Sequence, residues 1–123
     1  MKRTALVVDD SRAMRMVMGR YLRELGYEVT EAGDGRQALE SLRTSAIKPA
    51  LALVDWNMPE MNGIELVQAI RAQPEFAEVR LMMVTSETEG ARVESALEAG
   101  ADEYLMKPFT REILVEKLAV LGF

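Results

Sequence analysis

The chain contains no cysteine and no histidine. The first absence excludes disulfides, thiol redox chemistry and thiolate-held metals. The second removes a Ser-His-Asp triad and ordinary zinc or haem ligation. Long apolar runs are missing as well, since nothing approaches the roughly 20 residues a bilayer span requires. The opening "MKRTALVVDD" places basic residues before a short apolar patch that ends in two acids, too brief for a secretory signal. A cytoplasmic location without membrane contact is therefore expected. The basic residues form no run and the net charge is −5, so nucleic-acid binding is not expected either.

What is present describes a globular chain. Hydrophobic residues make up 49% and charged residues 28% of 123 positions, enough for one domain with a real core. Five short β-rich runs alternate with five helical patterns. The runs are "TALVV" (4–8), "YEVTEA" (27–32), "ALALV" (50–54), "RLMMVT" (80–85) and "DEYLM" (102–106). Three of them are nearly continuous in apolar residues, as parallel strands buried on both faces require.

The first helix, over 11–25, places Met14, Val17, Met18, Tyr21, Leu22 and Leu25 on one face and sets Arg12, Arg15, Arg20 and Arg23 mostly opposite, as a solvated basic face. Further helices are predicted over 35–44, 63–72 and 89–99, and a fifth after Thr110, its N-cap. Gly26 and Gly100 read as stops. The alternation predicts an α/β fold with a doubly wound, five-stranded parallel sheet and helices on both faces. It occupies residues 1–123 as a single domain, leaving no room for an effector domain.

In such a sheet, ligands bind beyond the carboxyl ends of the strands. Those ends carry Asp9 and Asp10, then Asp55, then Thr85 and Ser86, then Lys107 and Pro108. Asp10 or Ser11 could cap the first helix, and Thr85 or Ser86 the fourth. Asp55 has no such duty, because Asn57, Pro59 and Gly63 supply the turn after it. Two carboxylates about 5 Å apart repel by roughly 3 kcal/mol at an effective dielectric near 20. Three acids make three such pairs, which one lysine does not offset. A hard divalent cation would, and Mg²⁺ takes one or two carboxylates together with phosphate oxygens. The set is thus equipped for a phosphoryl group, with Asp55 as nucleophile and Lys107, Thr85 and the metal to neutralise or bind the phosphoryl oxygens.

The motifs "VVDD", "DWNMP", "MVT" and "KPFT", in this order and spacing, resemble the receiver domain of two-component response regulators, of the stand-alone chemotaxis kind. The resemblance spans essentially the whole chain and implies strand order 2-1-3-4-5. It implies that Asp55 is the phosphoacceptor, served by a sensor histidine kinase or a small acyl phosphate. It implies a Mg²⁺ site of Asp10, Asp55 and the backbone carbonyl of Asn57, with Asp9 acting through water. Thr85, Lys107 and Tyr104 match the switch hydroxyl, the amine and the aromatic ring that turns inward. Asn57 and Glu87 match positions that tune dephosphorylation, and the Lys107–Pro108 bond matches a cis peptide.

Ser86 departs from the usual Ala or Gly, and Asn62 from an Asp. The implied protein is a monomeric switch, not an enzyme, that catalyses only its own phosphorylation and dephosphorylation. Its output surface comprises the fourth helix, fifth strand and fifth helix, and acts on a downstream protein target or the flagellar motor switch. Glu89, Glu94 and Glu98 against Arg92 make that surface acid-leaning. The alternative is a phosphorelay shuttle or a receiver cut from a larger regulator. A haloacid-dehalogenase-type phosphatase would need an acid where Asn57 stands. A flavodoxin-like carrier would not place two acids after strand one, and no Walker-type loop occurs.

Overall fold

A computed structural model of the chain describes residues 3–86 and 93–123. Five parallel strands, β1 (Thr4–Val8), β2 (Glu28–Ala32), β3 (Leu51–Asp55), β4 (Arg80–Ser86) and β5 (Glu103–Lys107), form one sheet of order β2-β1-β3-β4-β5. The helices α1 (Arg12–Glu24), α2 (Gly35–Thr44), α3 (Gly63–Arg71), α4 (Val93–Ala99) and α5 (Arg111–Val120) alternate with them. Strand order and fold class are those expected. The start of the fourth helix, over 89–92, lies outside the described residues, as does Glu87.

Side-chain alternation along the strands sorts the core into two layers. Leu6, Val8, Ala52, Val54, Leu81 and Met83 face α2, α3 and α4, meeting Leu42, Leu66, Ile70 and Ala96. Ala5, Val7, Leu51, Leu53, Met82, Val84 and Leu105 face α1 and α5, meeting Met18, Leu22, Leu114 and Leu118. Every residue of β3 is buried, which accounts for its unbroken apolar run from Leu51 to Val54.

Helix α1 departs in detail from its sequence reading. Val17 and Leu25 are exposed rather than buried, while Gly19 is buried against Val29. Val17 lies about 100° around the helix from Met18, beyond the edge of the buried stripe. Leu25 is the C-cap, where the chain has already left the helical path.

The order of strands leaves β1 and β3 adjacent, with their outgoing connections to opposite faces of the sheet. That is the switch point, where a crevice opens above the carboxyl ends of the strands. Asp9 and Asp55 stand on its two sides.

A candidate phosphoryl and metal site

The turn from β1 into α1 is held by its own polar groups. The Asp9 backbone N–H donates to the Ala32 carbonyl at 3.1 Å, and Asp9 Oδ1 accepts from the Ser11 N–H at 2.8 Å. Ser11 Oγ accepts from the Met14 N–H at 3.3 Å, so Ser11 is the N-cap of α1 and Asp10 is spared that duty. Asp9 is 1% exposed, whereas Asp10 is exposed to solvent at the cleft.

Asp55 ends β3 and is 5% exposed. After it the chain must turn sharply, because the Gly63 N–H bonds the Trp56 carbonyl at 2.9 Å. A Cβ at residue 63 would lie 2.6 Å from the Asp55 carbonyl oxygen and 2.9 Å from Met83 Sδ, so only glycine fits this close approach. Asn62 then caps α3 in a reciprocal capping box with Glu65. This gives its departure from Asp a plain helix-starting role.

Lys107, the last residue of β5, lies between the two buried acids. Its Nζ donates to Asp55 Oδ1 at 3.0 Å and to Asp9 Oδ2 at 3.4 Å. The Lys107–Pro108 peptide is cis. One carboxylate oxygen from each of Asp9, Asp10 and Asp55 can be chosen so that all three lie within 4.8 Å of one another. With Ser11, Asn57, Ser86 and Lys107, these acids line a cleft of about 310 Å³.

Burial raises the Asp55 pKa from its ordinary 3.8 to about 6; the Lys107 hydrogen bond opposes this, while the charges of Asp9 and Asp10 add to it. Burial alone would lower the Lys107 pKa, but its hydrogen bond to Asp55, the Asp55 charge and Asp9 override it, so the amine is raised and stays cationic. Three acids against one amine leave an excess of negative charge at neutral pH. The donor set is all hard oxygen with no nitrogen or sulfur ligand, and it suits a small divalent cation such as Mg²⁺.

The remaining expected site residues are placed less directly. Asn57 is exposed and lines the cleft. Thr85 is 2% exposed at the end of β4, its hydroxyl donating to the Ser86 carbonyl at 3.4 Å, and Ser86 rather than Thr85 lines the cleft. Tyr104 is half-buried, with Lys117 Nζ 3.8 Å from its ring centroid. One residue at the site went unmarked in the sequence. Arg15, expected among the solvated arginines of α1, folds back so that Nη1 donates to the Asp9 carbonyl at 2.7 Å and Nε to Glu31 Oε1 at 3.1 Å. Its helical angle is the available signal: it falls about 60° from Met18, between the buried Leu22 and Gly19.

Comparison with known proteins agrees with this geometry. The family model described as "Response regulator receiver domain" matches residues 5–119. Chemotaxis protein CheY1 of Helicobacter pylori is 48% identical over 117 residues, 94% of each chain. A chemotaxis protein CheY homolog of Campylobacter jejuni is 45% identical over 119 residues, covering 95% of this chain and 91% of that one. The structure of CheY4 from Vibrio cholerae superposes with a TM-score of 0.88 at 34% identity, covering 98% of both chains. With its fold, its strand-end acids and these relatives, the chain belongs to the response regulator receiver domain family.

Proposed function

We propose that residues 1–123 act as one phosphorylation-controlled switch, in which Asp55 accepts a phosphoryl group from a histidine kinase. The observation that carries this is the seat of Lys107, bonded at once to Asp55 and Asp9 in a cleft that gathers three carboxylates. A buried nucleophile held 3.0 Å from a fixed cation is arranged to attack phosphorus while the amine balances charge on the phosphoryl oxygens. Residues 1–123 contain no histidine, so the phosphohistidine donor lies outside them. An oxygen of Asp55 forms the new bond to phosphorus, and the broken P–N bond leaves its electron pair on the donor imidazole.

Asp10, Asp55 and the backbone carbonyl of Asn57 would hold Mg²⁺, with Asp9 supporting through water. Bound there, the ion supplies positive charge against the carboxylates and the phosphoryl oxygens. Asp9 contributes by anchoring Lys107 from the far side. Thr85, buried one strand away from Asp55, supplies the hydroxyl that turns to the phosphoryl group, and Tyr104 follows it inward. Asn57 lies where it can orient a water for dephosphorylation, and Glu87 shares that role.

The readout is the surface of α4, β5 and α5 and its contact with a downstream protein, in a chemotaxis pathway as in the relatives of that description. Moving such a switch from 1:99 to 99:1 takes about 5.5 kcal/mol of preference for the active form. Charge-assisted bonds from Lys107 and Thr85 to a dianionic group are of that order. The switch works as a monomer in the cytoplasm, where a histidine kinase would meet it. No helix among the described residues is long and apolar enough to cross a membrane.

The test is labelling with acetyl phosphate and Mg²⁺. Wild type takes up label and Asp55→Asn does not. Undiminished label in the variant refutes the acceptor assignment.

A further inference from the structure

We propose that Arg15 is a positioning residue for the metal-binding acids, through the peptide that joins Asp9 to Asp10; the inference rests on the reading of the site given above. The Asp9 side chain is held on both oxygens, by the Ser11 N–H and by Lys107, and its N–H is held by Ala32. Its carbonyl is held by Arg15 Nη1 at 2.7 Å, a charge-assisted bond. A peptide is planar, so fixing the Asp9 carbonyl fixes the direction in which the chain leaves toward the Asp10 Cα. Asp10 is the exposed member of the acid cluster, and the hydrogen bonds that fix this turn go to Asp9 and Ser11 rather than to its carboxylate. Its aim depends on the backbone.

Arg15 is itself anchored. Its side chain is 18% exposed, and Nε bonds Glu31 on β2, which also pairs with Arg23 at 3.7 Å. The guanidinium packs over Gly33, where a Cβ would sit 3.6 Å from Nη1. Glu31 offsets the arginine's charge, so the cation is there for its fork of donors rather than for its field.

Two roles for Arg15 therefore predict opposite signs. As a bare positive charge near the acids, its removal would tighten binding of a divalent cation. As a positioning group, its removal weakens binding, and outer partners of metal ligands typically contribute 10–100-fold in affinity. The ion's identity separates the roles further. Mg²⁺ demands near-ideal octahedral geometry, whereas Ca²⁺ accepts irregular sites. A misaimed Asp10 therefore lowers Mg²⁺ affinity more than Ca²⁺ affinity.

The experiment titrates Mg²⁺ and Ca²⁺ separately into wild type, Arg15→Met and Arg15→Lys, read by the fluorescence of Trp56, the only tryptophan and next to Asp55. Circular dichroism confirms that each variant is folded. Arg15→Met is expected to bind Mg²⁺ about tenfold more weakly, with a smaller loss for Ca²⁺. Arg15→Lys keeps the charge but not the fork, and is expected to fall between. Should Arg15→Met fold too poorly to titrate, a loss of Mg²⁺ over Ca²⁺ preference in Arg15→Lys supports the same role. Equal or tighter Mg²⁺ binding by Arg15→Met, or an unchanged preference in both variants, overturns the positioning role while wild-type binding stands. A wild type that shows no saturable response to Mg²⁺ overturns the metal site and this inference with it.

Discussion

Asp55→Asn should make the metal-free protein more stable, and only above a definite pH. The Asp55 carboxyl is raised from 3.8 to about 6 in the folded protein, chiefly by burial. A raised carboxyl favours the protonated form. Its contribution to stability is complete below about pH 4 and is lost as pH climbs through 6. At roughly 1.4 kcal/mol per pH unit, the interval corresponds to about 3 kcal/mol of stability forgone once Asp55 ionises.

An asparagine is never charged and its amide oxygen can still accept from Lys107. The lysine does lose one carboxylate partner, keeping Asp9 at 3.4 Å, so the net gain is about 1–3 kcal/mol. For a chain of this length that raises the thermal midpoint by roughly 4–12 °C. The assay is thermal or urea unfolding of both proteins in chelator between pH 3.5 and 8.5. Groups remote from residue 55 cancel in the difference, which should be near zero at the acid end and grow through pH 6. Saturating Mg²⁺ should then narrow the gap, because a ligand stabilises the state that binds it. A difference that is flat with pH, or a variant less stable than wild type at pH 8, refutes the claim that the resting site is strained by its own charge.

Two further predictions test the scaffold. Gly63→Ala should cost about 2–4 kcal/mol, since the new methyl meets the Asp55 carbonyl oxygen at 2.6 Å and something must move; urea midpoints measure the loss, and a near-neutral change would show that the loop is not fixed as described. Arg71→Met should cost a similar amount, about 2–4 kcal/mol, because the guanidinium donates to the carbonyls of Gly100, Phe76 and Val79 and to Asp102. Hydrogen exchange should report faster opening where α4 meets β5, and unchanged protection there would count against the clamp.

Much of this architecture could be read from the chain, for definite reasons. The parallel sheet showed itself because strands buried on both faces must be apolar along their buried length, as β3 is from Leu51 to Val54. Cap positions were legible where one residue does one job: Thr110 caps α5, and Gly100, at φ +123, ends α4 against Arg71. Strand ends drifted by a residue, since ladder pairing rather than composition sets them. The breadth of the buried face of α1 was not legible, because Val17, Gly19 and Leu25 depend on where the helix sits and stops. Asp9, Asp10, Asp55 and Lys107 could be nominated from strand ends alone, because the topology forces those ends together. Arg15 escaped notice because its partners are far apart in the chain, Asp9 in the turn after β1 and Glu31 on β2. Only the register of β1 with β2 brings them to one side chain.

Among the five strands, β5 has a neighbour on one side only. The ammonium that grips both buried acids is thus mounted on an edge ribbon, tethered by a single ladder of backbone bonds. Tyr104 sits three residues earlier on that ribbon, with the buried Leu105 between them, so the amine and the ring share one backbone that the core holds at its middle.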